Sequence, residues 1–114
     1  MDELKLKLRE FAKARDWDQF HSPKNLAMAL SVEVAELVEH FQWLTEAQSY
    51  VEDPDKIEEI KQEIGDILIY LTRLSDKLGI DPLQAAMDKI AVNRRKYPVN
   101  KAKGNAKKST EFSK

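Results

Sequence analysis

Apolar residues recur at intervals of three and four along four stretches of the chain. The most regular stripe consists of Ile57, Ile60, Ile64, Ile67, Leu71, Leu74 and Leu78. This spacing places the side chains on one face of an α-helix, as in a tightly packed bundle. The alternation of β-branched and polar residues that is typical of strands is missing, and glycine occurs three times in the chain. The pattern predicts an all-α protein.

Three of the four stretches begin with a serine or aspartate followed directly by proline. These pairs are Ser22-Pro23, Asp53-Pro54 and Asp81-Pro82. The first residue can cap the free backbone N–H groups of a helix, and proline is favoured at the first helical position. We expect the second helix to run to about Thr45 and the third to be closed by Gly79.

The first and fourth helices complete the predicted bundle. The first includes Leu4 and ends near Arg15, where a short aromatic loop follows. The fourth ends near Pro98, and Gln84 occupies the position of a capping-box residue at its start. We therefore predict a helical domain over residues 1–98 and a separate basic tail over residues 99–114.

Two acidic pairs lie at helical spacing inside these apolar helices: Glu33 with Glu36, and Glu63 with Asp66. Residues three apart share a helix face, so two packed helices would gather four carboxylates. Such a cluster is unfavourable unless a cation offsets the repulsion. Mg²⁺ prefers oxygen ligands and leaves positions for substrate phosphates, and Mn²⁺ has similar preferences. The pairs predict a divalent-metal site for phosphate chemistry.

One acidic pair alone would be an ordinary solvated helix face, but Glu33 interrupts an apolar stripe. The stripe consists of Leu26, Leu30, Leu37 and Leu44, and His40 interrupts it as well. A di-iron bundle is disfavoured, because that class uses Glu-x-x-His and neither helix contains it. Gly65, directly before Asp66, costs helix stability and could let another group approach the backbone closely.

Aromatic side chains flank the acidic pairs. Trp17 and Phe20 can serve as hydrophobic staples between the first two helices, or their faces can stack on a nucleobase. Trp43 and Tyr70 add flat side chains to the same region. Lys89, Asn93 and Arg94, in the fourth helix, can either contact phosphate oxygens or form an ordinary polar helix end.

The composition narrows the class of protein. The 114 residues suffice for one domain, and the chain has no cysteine, so a disulfide framework and a thiolate metal site are excluded. Residues 99–114 hold five lysines and one acid, which leaves about −5 on residues 1–98. That segment is predicted to be a flexible tail, and the acidic body does not favour a nucleic-acid partner. Without a long apolar segment or a signal-peptide pattern, we expect a cytoplasmic protein with no membrane partner.

The motifs resemble those of a known family. Glu33-x-x-Glu36 followed by Glu63-Ile64-Gly65-Asp66 is similar to the paired motif of the all-α nucleoside triphosphate pyrophosphatases, the MazG-like superfamily. The segments Arg15-Asp16-Trp17-Asp18-Gln19-Phe20-His21, Phe41-Gln42-Trp43 and Asn93-Arg94-Arg95-Lys96-Tyr97-Pro98 resemble its dCTP pyrophosphatase branch. The similarity extends from about Phe11 to Phe112.

The resemblance implies a four-helix MazG-like bundle that is completed by oligomerisation into a homodimer or homotetramer. It implies Glu33, Glu36, Glu63 and Asp66 as catalytic metal ligands for Mg²⁺. It also implies a nucleotide held by Trp17, Asp18, Gln19, Phe20, His21, Trp43 and Tyr70. Mammalian members have a substrate-contacting histidine where this chain has Leu8, so strict cytosine preference does not follow from the resemblance.

The expected reaction is hydrolysis of a nucleoside triphosphate, dCTP or a related or modified deoxynucleotide, to the monophosphate and pyrophosphate. Metal-activated water would be the nucleophile, and Glu36 is the candidate general base. Two other hypotheses remain open. One is a non-catalytic helical interaction module whose acids are merely exposed, and the other is a nucleotide-binding regulator without turnover.

Overall fold

The computed structural model describes residues 2–108 and 110. Over these residues all regular secondary structure is helical: α1 Asp2–Ala14, a 3₁₀ turn Asp18–Phe20, α2 Pro23–Glu39, α3 Pro54–Lys77, α4 Pro82–Lys96 and α5 Val99–Ala102. The all-α prediction is confirmed. The four predicted helices are present in order, and α5 is an additional turn.

The predicted helix starts are confirmed by their hydrogen bonds. The side chains of Ser22, Asp53 and Asp81 each accept a backbone N–H from the first turn of α2, α3 and α4, at 3.0 to 3.2 Å. Gly79 follows α3 with φ +67°, a left-handed conformation that glycine adopts without a Cβ penalty. The side chain of Gln84 donates to Asp88 (2.9 Å), so the reciprocal half of the expected capping box is replaced by an i, i+4 bond.

The prediction that the second helix extends to about Thr45 is wrong, because α2 ends at Glu39. The backbone tightens into three-residue turns, in which Phe41 N–H donates to the carbonyl of Val38 (2.9 Å). Farther along, Thr45 and Gln48 exchange two bonds between side chain and backbone, at 3.0 and 3.2 Å. Such local bonds compete with the helical ladder, and they divert the chain before α3.

Two compact units make up the chain, Met1–Ile80 and Asp81–Lys114. In the first unit α3 packs against both α1 and α2. The buried apolar side chains of this unit are Ala12 on α1, Leu26 on α2 and Ile60 on α3. One face of each helix therefore meets the others around α3, which is the central element of the unit.

The apolar stripe of α3 is divided between core and surface. Ile60 is buried, and Ile67 and Leu74 are half-buried. The four alternate members are exposed by 38 to 54%: Ile57, Ile64, Leu71 and Leu78. The sequence predicted a single packed stripe, but within this chain only every second member is covered.

The second unit contains α4 and α5. The last turn of α4 carries Arg94, Arg95 and Lys96, and positive charge is favourable at the negative end of the helix dipole. The short helix α5 lies inside the predicted basic tail, whose flexibility remains a prediction. Ser109 and residues 111–114 of that tail lie outside the described residues. Across the described chain, no helix is both long and apolar enough to cross a membrane.

Candidate active site

Three of the four predicted metal ligands meet between α2 and α3. One carboxylate oxygen each of Glu33, Glu36 and Glu63 lies within 4.8 Å of the other two, and all three residues are half-buried. Helical spacing places the first two on the face of α2 that includes the buried Leu26. The fourth predicted ligand, Asp66, is exposed and lies outside this group of three, although its charge acts on the pKa values of the group.

The cluster is electrostatically strained. The pKa of Glu33 is raised from 4.5 to about 7, first by burial and then by the hydrogen bond and negative charge of Glu36. Burial, and then the hydrogen bond and charge of Glu36, also raise the pKa of Glu63. The negative charge of Asp66 acts in the same direction on both groups. Both carboxyls therefore resist ionisation as long as nothing positive offsets the charge.

Two oxygens in this cluster are buried without a hydrogen-bond partner: Oε2 of Glu33 and Oε2 of Glu63. A buried polar atom without a partner is costly, since it has lost its hydration. A cation between α2 and α3 would satisfy both atoms and offset the repulsion at the same time. All the donors are carboxylate oxygens, which are the ligands that hard divalent cations prefer. The residues present fit a divalent metal.

His40 lies at the end of α2 beside this cluster. Its Nε2 is 4.0 Å from Oε1 of Glu63, and its Nδ1 is 3.9 Å from Oε2 of Glu59. These separations are too long for hydrogen bonds. At Gly65 an added Cβ would meet nothing within 4 Å, so the described part of the chain leaves the space beside this glycine open.

The aromatic loop folds back on α1. The backbone N–H of Trp17 donates to the carbonyl of Ala12 (2.9 Å), and its ring meets the ring of Phe11 edge to face, at 5.6 Å between centroids. On the other side the ring of His21 lies at 6.2 Å with a similar geometry. Trp17 therefore acts as a staple on α1 and still remains 42% exposed, which keeps it accessible to a ligand.

A cavity of about 70 Å³ lies between this loop, α1 and α3. Three of the predicted nucleotide-binding residues meet there, Trp17, His21 and Tyr70. Leu8, at the position where the resemblance implies a histidine in mammalian members, lies in the same cavity together with Ile69 and Arg73. Leu8 and the predicted aromatic nucleotide-binding residues therefore line the same cavity.

Other predicted nucleotide-binding residues lie elsewhere. The carboxylate of Asp18 bonds Arg73, and Gln19 bonds back to the carbonyl of Asp16. Phe20 is 60% exposed. Trp43 is 86% exposed and lines a separate open groove of about 710 Å³. Lys89, Asn93 and Arg94 lie on the exposed surface of α4, in the second unit.

Arg73 was missed by the sequence analysis. It is 4% exposed, and its Nη2 donates to Oδ1 of Asp18 (2.6 Å) and lies 3.3 Å from Nδ1 of His21. A signal for it was available. Asp66, Tyr70 and Arg73 follow i, i+4, i+7 spacing, so the arginine lies on the same face of α3 as two predicted site residues.

Fold and site define a class before any comparison: an all-α protein in which half-buried carboxylates meet between two helices, and in which one of these helices, α3, also lines an aromatic cavity. Comparison with known protein families supports this assignment. The sequence model of the MazG-like family matches residues 28–112, and the chain belongs to this family.

The chain is also similar to proteins that are named as pyrophosphatases. The chain is 41% identical over 105 residues to dCTP pyrophosphatase 1 of Homo sapiens and 43% identical to that of Mus musculus. Each alignment covers 90% of this chain and 62% of the relative, so the chain spans about three fifths of the length of these relatives. A crystal structure of a pyrophosphatase from Archaeoglobus fulgidus is 44% identical, with a TM-score of 0.77 over 86% of this chain and 92% of that one.

Proposed function

We propose that this protein is a divalent-metal-dependent nucleoside triphosphate pyrophosphohydrolase that releases a nucleoside monophosphate and pyrophosphate. The observation that carries the proposal is the cluster of Glu33, Glu36 and Glu63, in which two buried oxygens have no partner. Mg²⁺ is the proposed metal, with Mn²⁺ as a second candidate. The names of the relatives, which are dCTP pyrophosphatases and a pyrophosphatase, support the reaction and suggest dCTP or a related deoxynucleotide as substrate.

A divalent cation bound at this site would supply positive charge for the triphosphate and acidify a coordinated water. Glu33 and Glu63 would hold that cation through the oxygens that otherwise lack a partner. Asp66, at the exposed edge of the cluster, would complete the set of four carboxylates. Glu36 has a carboxylate oxygen within 4.8 Å of those of Glu33 and Glu63, and it is the proposed general base, which would accept the proton of the attacking water.

We infer that the nucleobase binds at the cavity beside Trp17, His21 and Tyr70. Aromatic side chains can stack on any nucleobase, and in single-stranded recognition each stacked base contributes about 1–3 kcal/mol of binding free energy. Leu8 adds an apolar wall at the place where a polar base contact is expected from the resemblance. The proposed contacts of Lys89, Asn93 and Arg94 with phosphate oxygens follow from their positive and polar character on α4.

Oligomerisation is also proposed, as a homodimer or a tetramer. Exposed apolar residues run along α3 at seven-residue spacing, and α2 exposes Met28, Val32 and Val38 by 50% or more. Large continuous apolar surfaces are typical of protein interfaces. Light scattering coupled to size-exclusion chromatography would give the mass, and a strictly monomeric protein at micromolar concentration would contradict this part of the proposal.

The reaction is tested with a panel of ribonucleoside and deoxyribonucleoside triphosphates, with and without Mg²⁺, followed by chromatography of the products. We expect monophosphate and pyrophosphate, formed only with metal. Glu36→Gln and Asp66→Asn should abolish turnover and keep helicity. The exposed control Glu58→Gln, on the same helix as Asp66, should keep both turnover and helicity. Diphosphate with orthophosphate as products, or full turnover in Glu36→Gln, would contradict the proposal.

The exposed apolar stripe of α3 also favours a second candidate function, a non-catalytic helical interaction module. A metal that binds only the folded state raises the melting temperature. An unchanged melting curve at millimolar Mg²⁺, with and without nucleotide, together with no product, would favour this second function. Metal-dependent nucleotide binding without product would instead indicate a regulator that does not turn over its ligand.

A further inference from the structure

Arg73 is the most deeply buried charged side chain of the described residues. It projects from α3 toward the loop between α1 and α2, where its Nη2 donates to Oδ1 of Asp18 at 2.6 Å. Its Nη1 lies 3.9 Å from Oδ2 of Asp76, and that aspartate also accepts two bonds from Arg9 on α1, at 2.6 and 2.7 Å. The guanidinium thus links the aromatic loop to α3, and through Asp76 to α1.

Stability alone does not account for this residue. Burying a cation costs several kcal/mol. A protein with a well-packed apolar side chain of similar size at such a position is often as stable as one with the buried ion pair, or more stable. The Nε of Arg73 is buried and has no hydrogen-bond partner, which adds to the cost. The side chain also lines the cavity together with His21 and Tyr70. A costly buried cation at the wall of a binding cavity points to a role in the site.

The contact with His21 has a definite chemical consequence. Arginine is a donor only, so the 3.3 Å contact from Nη2 to Nδ1 of His21 is a hydrogen bond only when Nδ1 has a free lone pair. The ring hydrogen must then be on Nε2. Burial lowers the pKa of His21, and the charge of Arg73 lowers it further against the opposing charge of Asp18, which favours the neutral ring. The ring nitrogen left for a ligand is Nε2, and it carries a hydrogen.

We propose that Arg73 is a positioning residue for the nucleobase cavity, which holds the aromatic loop through Asp18 and sets His21 as a hydrogen-bond donor through Nε2. The ligand group that fits is the acceptor edge of a heteroaromatic base, such as a ring carbonyl oxygen. The inference rests on the proposed function for the identity of the ligand. Its structural part, the tautomer of His21, does not depend on that function.

The first test is spectroscopic. The chain has two histidines, His21 and His40, so long-range ¹H–¹⁵N spectra of the imidazole rings are assigned with one His21→Gln variant. At pH 7.5 we expect the Nε2–H pattern for His21 in the wild type and a mixture of both tautomers in Arg73→Met. The Nδ1–H tautomer in the wild type, or the same pattern in Arg73→Met, would overturn the inference.

The second test separates binding from turnover. Arg73→Met should raise KM about tenfold, the amount expected for loss of one hydrogen bond to a charged group, and leave kcat within about twofold. Arg73→Lys, which keeps a donor and a charge, should recover part of the loss. The matched control is Lys77→Gln, because Lys77 bonds the same oxygen of Asp18 at 3.2 Å from the surface. Its KM should stay within about twofold of the wild type.

Each outcome of the kinetic test is informative. If Arg73→Met does not fold, Asp18→Ala removes the same bond from a half-exposed position, and it should raise KM with little change in kcat. An unchanged KM in the variant that folds, or an equal loss of kcat in the same variant, overturns the positioning role. A wild-type protein without turnover or nucleotide binding instead contradicts the proposed function, and the spectra still decide the tautomer.

Discussion

Glu33→Gln should stabilise the metal-free protein at alkaline pH while it removes the response to metal. The pKa of Glu33 is raised from 4.5 to about 7, first by burial and then by Glu36. A raised pKa means that the folded state holds the proton more tightly than the unfolded state. Stability from this group is therefore complete below about pH 4.5 and is lost as the pH rises to about 7. Glutamine has no such proton to lose.

The magnitude follows from the size of the pKa shift. At about 1.4 kcal/mol per unit, the rise to about 7 sets an upper limit of roughly 3 kcal/mol on the cost of ionising Glu33 in the fold. The residue is half-buried, so solvent screening reduces this to about 1–2 kcal/mol. For a domain of this size, each kcal/mol shifts the melting temperature by about 4 °C. We expect Glu33→Gln to melt roughly 4–8 °C higher than the wild type at pH 8 in EDTA.

The assay is thermal unfolding followed by circular dichroism at pH 4.5 and pH 8, with EDTA or with millimolar Mg²⁺. The stabilisation should nearly vanish at pH 4.5, where Glu33 is protonated in the folded state and half protonated in the unfolded state. With Mg²⁺ the wild type should gain stability and Glu33→Gln much less. The exposed control Glu58→Gln should change none of these differences. A lower melting temperature for Glu33→Gln at pH 8 in EDTA, or the same gain at both pH values, would refute the reasoning.

Three further predictions concern the fold. Ile60→Ala should lower the free energy of unfolding by about 2–4 kcal/mol in a urea titration, because Ile60 is buried, and an effect below about 1 kcal/mol would contradict that burial. Ser22→Ala should cost about 1 kcal/mol in the same titration through loss of the α2 cap, and Ser22→Thr, which keeps the hydroxyl, should recover most of it. Gly79→Ala should lower the melting temperature, since φ +67° costs a side-chain-bearing residue about 1–2 kcal/mol; an unchanged melting curve would show that the turn relaxes.

The all-α fold class and the first residues of the helices could be predicted from the sequence, because they depend on local interactions. The pairs Ser22-Pro23, Asp53-Pro54 and Asp81-Pro82 each supply a cap and a first helical residue within two positions, and the structure confirms all three starts. The end of α2 was not predictable in the same way. After Glu39 the backbone changes to three-residue turns, in which His40 and Phe41 donate to the carbonyls of Leu37 and Val38, although propensity alone would continue the helix.

For the carboxylate site, the sequence predicted which acidic residues share a helix face. Three-residue spacing determines that Glu33 and Glu36 share a face of α2, and that Glu63 and Asp66 share a face of α3. Which oxygens lose their partners depends on how closely the two helices pack. That packing buries one oxygen each of Glu33 and Glu63, while Asp66 stays at the exposed edge.

The sequence by itself determined an all-α chain, the starts of its helices and the acidic faces of α2 and α3. These properties depend on neighbours within about one helical turn. Only the tertiary structure decided that Arg73 is buried, that its guanidinium contacts Nδ1 of His21, and that Leu8 and Tyr70 share a cavity. The physical reason is that Arg73 and Asp18 are 55 residues apart, so their contact exists only once the loop after α1 has folded over α3.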